Sequence, residues 1–283
     1  MNISPRYLIV YALLLLLENP LLGQLVDDTI PVTSDPYTKY KIRYFDSTKT
    51  ALYCIACSKL KDLNPGLKSL TIVARNCRIS NKLDGLHELR ELLIDARRYH
   101  IDTTELALPN LKNLVVFAKR QRRIPDWITR FPKLEILTLG LFDERAITEN
   151  IRELPQVVDA EFQLERFRYF PEVLATVDSL SFLRITSWKK STVTNLPPVL
   201  GENTRIEALS LSIELNTTCL ETLSKMQGLK YLRVSALSKD LDIEQLAQSL
   251  GHLEGFYVDS LKRRSRLGSL KLTPPEMWQV GDK

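Results

Sequence analysis

One nine-residue stretch constrains the fold more than any other: Phe131, Pro132, Lys133, Leu134, Glu135, Ile136, Leu137, Thr138, Leu139. Its apolar skeleton is Leu134, Leu137 and Leu139, spaced three then two. The skeleton occurs upstream at Leu67/Leu70/Ile72, Leu89/Leu92/Ile94 and Leu111/Leu114/Val116. It occurs downstream at Val157/Ala160/Phe162, Leu180/Leu183/Ile185, Ile206/Leu209/Leu211, Leu229/Leu232/Val234 and Leu253/Phe256/Val258. First positions step by 22, 22, 23, 23, 23, 26, 23 and 24 residues. The last two skeleton residues of each copy, two apart, share one face of a strand, and the first lies where the chain turns in. A single copy cannot bury its own apolar face, so neighbours must stack, and stacked copies form a parallel sheet.

This L-x-x-L-x-L core at a fixed step resembles the leucine-rich-repeat superfamily, whose period is roughly 20–29 residues. The resemblance runs from about Leu60 to Val258 and implies an α/β solenoid. In it a curved parallel sheet is backed by short helices or irregular turns on the convex side. The return segments carry apolar residues suited to that packing: Leu83, Leu86, Leu106, Leu108, Trp127, Ile128, Ile151, Leu154, Leu220, Leu223, Leu246 and Leu250. Prolines recur there too (Pro109, Pro125, Pro132, Pro155, Pro171), and proline fits poorly in a central ladder. The sequence departs from the family pattern in one respect. Where the family places a turn-forming Asn, this chain has Arg75, Arg97, Lys119, Phe142, Glu165, Trp188, Glu214, Leu237 and Leu261.

Residues 1–23 read as a signal peptide. Arg6 precedes a short apolar run from Tyr7 to Leu17, broken at Glu18. That run falls below the roughly 20 residues of a membrane span. Cleavage is expected beside Gly23 or Gln24, leaving no membrane span; an uncleaved anchor is the alternative. Residues 24–50 are polar, lack the skeleton and form an irregular leader. The solenoid then occupies 51–283. Ala51 to Cys57 alternate as a strand, and with Leu60 and Leu63 they resemble part of the cysteine-bearing amino-terminal cap of extracellular leucine-rich repeats. Leu267, Leu270 and Leu272 read as a truncated closing repeat.

The four cysteines are Cys54, Cys57, Cys77 and Cys219. A lone C-x-x-C without a second pair or matching histidines is not a zinc site, and no metal or other cofactor is expected. A disulfide from Cys77 to Cys54 or Cys57 and three reduced core cysteines are both open readings. Cys219 lies too many strands away to join them. His87, His100 and His252 fall in three different repeats, beside no nucleophile motif, phosphate loop or H-E-x-x-H. The chain reads as non-enzymatic, with no small-molecule substrate. Asn216-Thr217-Thr218 is an N-glycosylation acceptor sequence.

Two surfaces stand out. Side chains facing away from the core, on the concave side, include Leu93, Val115, Phe117 and Ile136, then Asp159, Glu161 and Gln163, then Phe182, Arg184, Tyr231, Arg233, Tyr257 and Asp259. Apolar residues followed by aromatics alternating with Arg have the composition of a protein-binding surface. Cover by the leader, or simple β-propensity, would explain them equally. The second surface is a basic rim expected just after the strands: Arg97, Arg98, Lys119, Arg120, Arg122, Arg123, Lys189, Lys190, Lys262, Arg263 and Arg264. It contributes to a net charge of +5 and would draw a polyanion such as a glycosaminoglycan, or serve only as a solvated edge. The expected function is secreted, extracellular recognition of a protein partner by the concave face. Polyanion binding at the rim and an intracellular leucine-rich-repeat adaptor are the alternatives.

Overall fold

The computed structural model describes residues 51–55, 63–79, 83, 85–101, 107–118, 122–154 and 156–259, with backbone alone at 51–55, 74–79, 97–101 and 243. The expected signal peptide, leader and closing repeat lie outside these residues. Among the described residues ten strands form one parallel sheet in chain order. They are β1 (Ala51–Ile55), β2 (Ser69–Ile79), β3 (Glu91–Ile101), β4 (Asn113–Ala118), β5 (Ile136–Asp143), β6 (Asp159–Arg166), β7 (Phe182–Ser187), β8 (Ala208–Leu215), β9 (Tyr231–Leu237) and β10 (Gly255–Val258). Partners such as Leu92↔Leu114, Leu114↔Leu137 and Leu137↔Ala160 align the skeletons row upon row. The fold is an α/β leucine-rich-repeat solenoid.

The sheet is locked where each strand begins. Among the described residues, eight carbonyls, those of Lys68, Arg90, Lys112, Glu135, Val158, Ser181, Glu207 and Lys230, each accept two successive N–H groups from the next repeat at 2.8–3.2 Å. Repeat length therefore changes only the return loop and never the register at which a strand starts. All skeleton residues are buried except Leu253, which is partly buried against the same cluster. The return-segment residues expected to back the sheet are buried as well: Leu83, Leu86, Leu108, Trp127, Ile128, Ile151, Leu154, Leu220, Leu223, Leu246 and Leu250. Leu106 lies outside the described residues.

Side-chain caps and prolines both start return segments. The longer helical turns, Thr217–Leu223 and Ile243–Ser249, begin at Asn216 and Asp242, whose side chains accept from the backbone N–H of Cys219 and Glu244. Asp126–Arg130 and Glu172–Thr176 begin after Pro125 and Pro171, which supply no cap, and stay 3-10. The missing asparagine ladder is replaced by side chains at varied loop positions that reach back one repeat. Asn110 Nδ2 donates to His87 O, Asn203 Nδ2 to Ala175 O and Asn216 Nδ2 to Thr194 O, each at 2.8 Å. Hydroxyls do the same: Ser179 Oγ to Leu154 O at 3.2 Å and Ser191 Oγ to Phe167 O at 2.9 Å. Successive repeats also touch backbone to backbone at Gly228, where an added Cβ would lie 2.1 Å from Thr204 O.

Two expectations need correction. β2 and β3 run 11 residues each, so Arg97 and Arg98 lie within β3 and not on a rim after it. No Gly or Pro interrupts either stretch, and pairing continues through Asn76↔Arg98 to Ile79↔Ile101, beyond the point where β4 ends at Ala118. Cys77 is likewise inside β2, paired with Tyr99. Cys54 is in register with Ile72, five residues before Cys77. At about 3.3 Å per residue the two Cα atoms are roughly 17 Å apart, beyond the ~7 Å span of a disulfide. The Cys54–Cys77 bridge is therefore excluded, and Cys57 lies outside the described residues.

Leu137 is 0% exposed between Leu114 and Ala160. Replacing it with Asp would bury a carboxylate with no partner and remove a packed side chain. We expect a loss of at least about 3 kcal/mol in equilibrium unfolding; an unchanged melting curve would contradict the register.

Candidate recognition surface

The register sorts the outward side chains of the sheet into three rows. The first reads Ser69, Glu91, Asn113, Ile136, Asp159, Phe182, Ala208, Tyr231, Gly255. The second reads Thr71, Leu93, Val115, Thr138, Glu161, Arg184, Ser210, Arg233, Tyr257. The third begins Val73, Asp95, Phe117, Gly140, Gln163, Thr186. Every residue expected on the concave face falls in these rows except Asp259, which follows β10. Leu93, Val115, Phe117, Phe182, Arg184, Tyr231, Arg233 and Tyr257 are half-buried, and Ile136 is 38% exposed.

The rows are not one continuous patch. β8 contributes buried Ala208 and Ser210, which separate Phe182 and Arg184 from Tyr231 and Arg233. Phe117 lies flat over the next strand because Gly140 has no side chain; a Cβ there would meet the Phe117 ring at 3.0 Å. Leu93, Val115, Phe117 and Ile136 thus form an apolar group at the amino end, and Tyr231, Arg233 and Tyr257 an aromatic group at the other.

Charges on this face are largely paired with one another. Arg233 Nε donates to Asp259 Oδ1 at 2.9 Å, and its guanidinium sits 5.0 Å from the centroid of the Tyr257 ring. Tyr231 Oη donates to Glu254 Oε2 at 2.6 Å, which raises the Tyr231 phenol above its usual range. Arg184 Nη1 stands 3.8 Å from Glu161 Oε2, while Glu161 Oε1 accepts from Gln163 Nε2 at 3.0 Å. Asp159 differs: among the described residues its carboxylate has no hydrogen bond or ion pair. Burial raises its pKa, Arg184 draws it down and Glu161 raises it again.

Much of the described rim is neutralised. Lys189 pairs with Glu165 at 2.6 Å and Lys190 with Glu214 at 3.8 Å. Arg168 reaches Asp143 at 3.2 Å and Glu144 at 3.5 Å, the latter with a fully buried side chain. That guanidinium balances a buried carboxylate, a structural role in which removing one partner is costly. Arg122 and Arg123 are exposed. The side chains of Arg97 and Arg98 are not among those described, and Lys119, Arg120, Lys262, Arg263 and Arg264 lie outside the described residues. Sequence reasoning missed the aromatics of this edge: Tyr169, beside Arg168, is 44% exposed and Trp188, beside Lys189, 46%.

Asn216 has structural work to do, since its Oδ1 caps a helix and its Nδ2 bonds Thr194 O, each at 2.8 Å. A glycan on Nδ2 would have to share that nitrogen with the turn. Cys219 is free and buried. Burial pushes its thiol up to about 11, against a smaller downward pull from a hydrogen bond to the Asn216 backbone, so it is chemically inert near neutral pH. His87 and His252 are exposed. Among the described residues no group of three or more His, Cys, Asp or Glu could hold a metal ion, and no helix is long and apolar enough to cross a membrane.

No protein-family profile matches the chain, and no curated protein matches it in sequence. Solved structures similar to it include two from Listeria monocytogenes. An internalin C2 is 18% identical over 68% of this chain and 81% of its own, with a TM-score of 0.44. An internalin F is 12% identical over 80% and 86%, with a TM-score of 0.38.

Proposed function

We propose that this chain is a secreted, non-enzymatic recognition protein that binds a protein partner through the outward face of its sheet. One observation carries the reading. Leu93, Val115, Phe117, Ile136, Phe182, Tyr231 and Tyr257 stand on that face without being buried, although a complete hydrophobic core fills the other side. Large apolar and aromatic side chains left in water on a rigid scaffold mark interaction surfaces. Export rests on the apolar run of residues 1–23 and makes the surface available to extracellular partners. The intracellular-adaptor reading takes its place if that run is not an export signal.

A second reading has its own support. Tyr169 and Trp188 expose aromatic rings beside Arg168, Lys189 and Lys190, a combination that suits a sulfated glycan. Pairing of these cations with Asp143, Glu165 and Glu214 weakens it, so the outward face leads.

A Phe117→Ala/Tyr231→Ala double variant should weaken binding of a partner captured with the mature chain by about 2 kcal/mol or more. Lys189→Gln/Lys190→Gln should mainly slow association. Normal binding by the first variant, with loss of heparin retention and partner binding in the second, would transfer the function to the rim. Expression in secreting cells should release a chain that begins near Gly23 or Gln24; recovery only from the cytosol with Met1 intact would contradict export.

A further inference from the structure

On the outward face Asp159 puts a carboxylate beside exposed apolar surface. Asp159 lies between Ile136 and Phe182 in the first row, on adjacent strands. Ile136 is 38% exposed and Val158, next to Asp159 in sequence, 45%; only four large hydrophobic residues among those described are so exposed. The Asp159 carboxylate is half-buried and, among the described residues, without a hydrogen bond or ion pair. Arg184, in the next strand, stands 3.8 Å from Glu161 and also acts on Asp159, so one cation faces two carboxylates and the cluster keeps a net negative charge. A partly desolvated carboxylate that has no hydrogen bond and shares its cation with a second carboxylate gains from an incoming cation. Such a cation must bring apolar atoms with it, since its stem would lie on Ile136, Val158 and the Phe182 ring.

We propose that Asp159, Ile136, Val158 and Phe182 form a subsite for an Arg or Lys side chain that the protein partner presents between apolar residues. The guanidinium or ammonium bonds the Asp159 carboxylate and its methylene stem covers Ile136 and Val158. Phe182 offers its ring face to the cation. This subsite rests on the reading of the outward face as the recognition surface. An acidic partner would meet Asp159 and Glu161 as like charges here.

The test pans a random peptide display library on the immobilised mature chain and measures the selected peptides, resynthesised, against variants. Selected sequences should contain Arg or Lys flanked by apolar residues. Asp159→Asn, which keeps the shape, should weaken them about tenfold, and Ile136→Ser should weaken them severalfold. Glu91→Gln, in the same row outside the patch, should leave them unchanged. Melting curves establish that each variant is folded. Peptides lost on Phe117→Ala/Tyr231→Ala but indifferent to Asp159→Asn would remove the subsite and keep the face. Peptides indifferent to both would remove both. Enrichment of acidic peptides, or of none, would overturn the proposal.

Discussion

The structure depends on the paired hydrogen bonds at the start of each strand. One carbonyl per repeat accepts two N–H groups from the next repeat, eight times in succession among the described residues. This fixes which residue of one repeat lies beside which residue of the next. The side-chain period of a strand is two, so a slip of one residue would turn every leucine outward. Loop lengths absorb all variation, as in the longest step, between β7 and β8, which holds the short helix Pro198–Gly201.

From that register the two faces follow. Leu137, Leu139 and their equivalents stack into an apolar ladder against the return segments, and the alternate residues are left on the outward face. The outward face gains definition from what is missing as much as from what is present. Gly140 leaves room for the Phe117 ring, and Ala208 and Ser210 separate Phe182 and Arg184 from Tyr231 and Arg233. Ion pairs tie Arg184 to Glu161 and Arg233 to Asp259, so neither guanidinium stands alone on this face.

The period, the skeleton and the apolar backing were legible because each is a repeated residue type at a fixed offset. Arg184 beside Glu161 could have been found the same way, since both occupy the same row one 23-residue step apart. The length of β2 and β3 was not legible, because the consensus ends at Ile72 and Ile94 and nothing in it marks where pairing stops. The capping role of Asn216 was not legible in its acceptor sequence, since a three-residue motif does not reveal what its amide touches. The exposure of Tyr169 and Trp188 was not legible, because exposure depends on the loop path and not on residue type.

The central claim is the register, and inter-strand nuclear Overhauser contacts in the isotope-labelled protein test it most directly. The account predicts that the amide protons of Val158 and Asp159 both lie near the Glu135 backbone, and that the backbone of Thr138 gives contacts to Glu161 and none to Gln163. Contacts between Thr138 and Gln163, or an antiparallel pattern between β5 and β6, would contradict the register and every assignment of a side chain to the outward face.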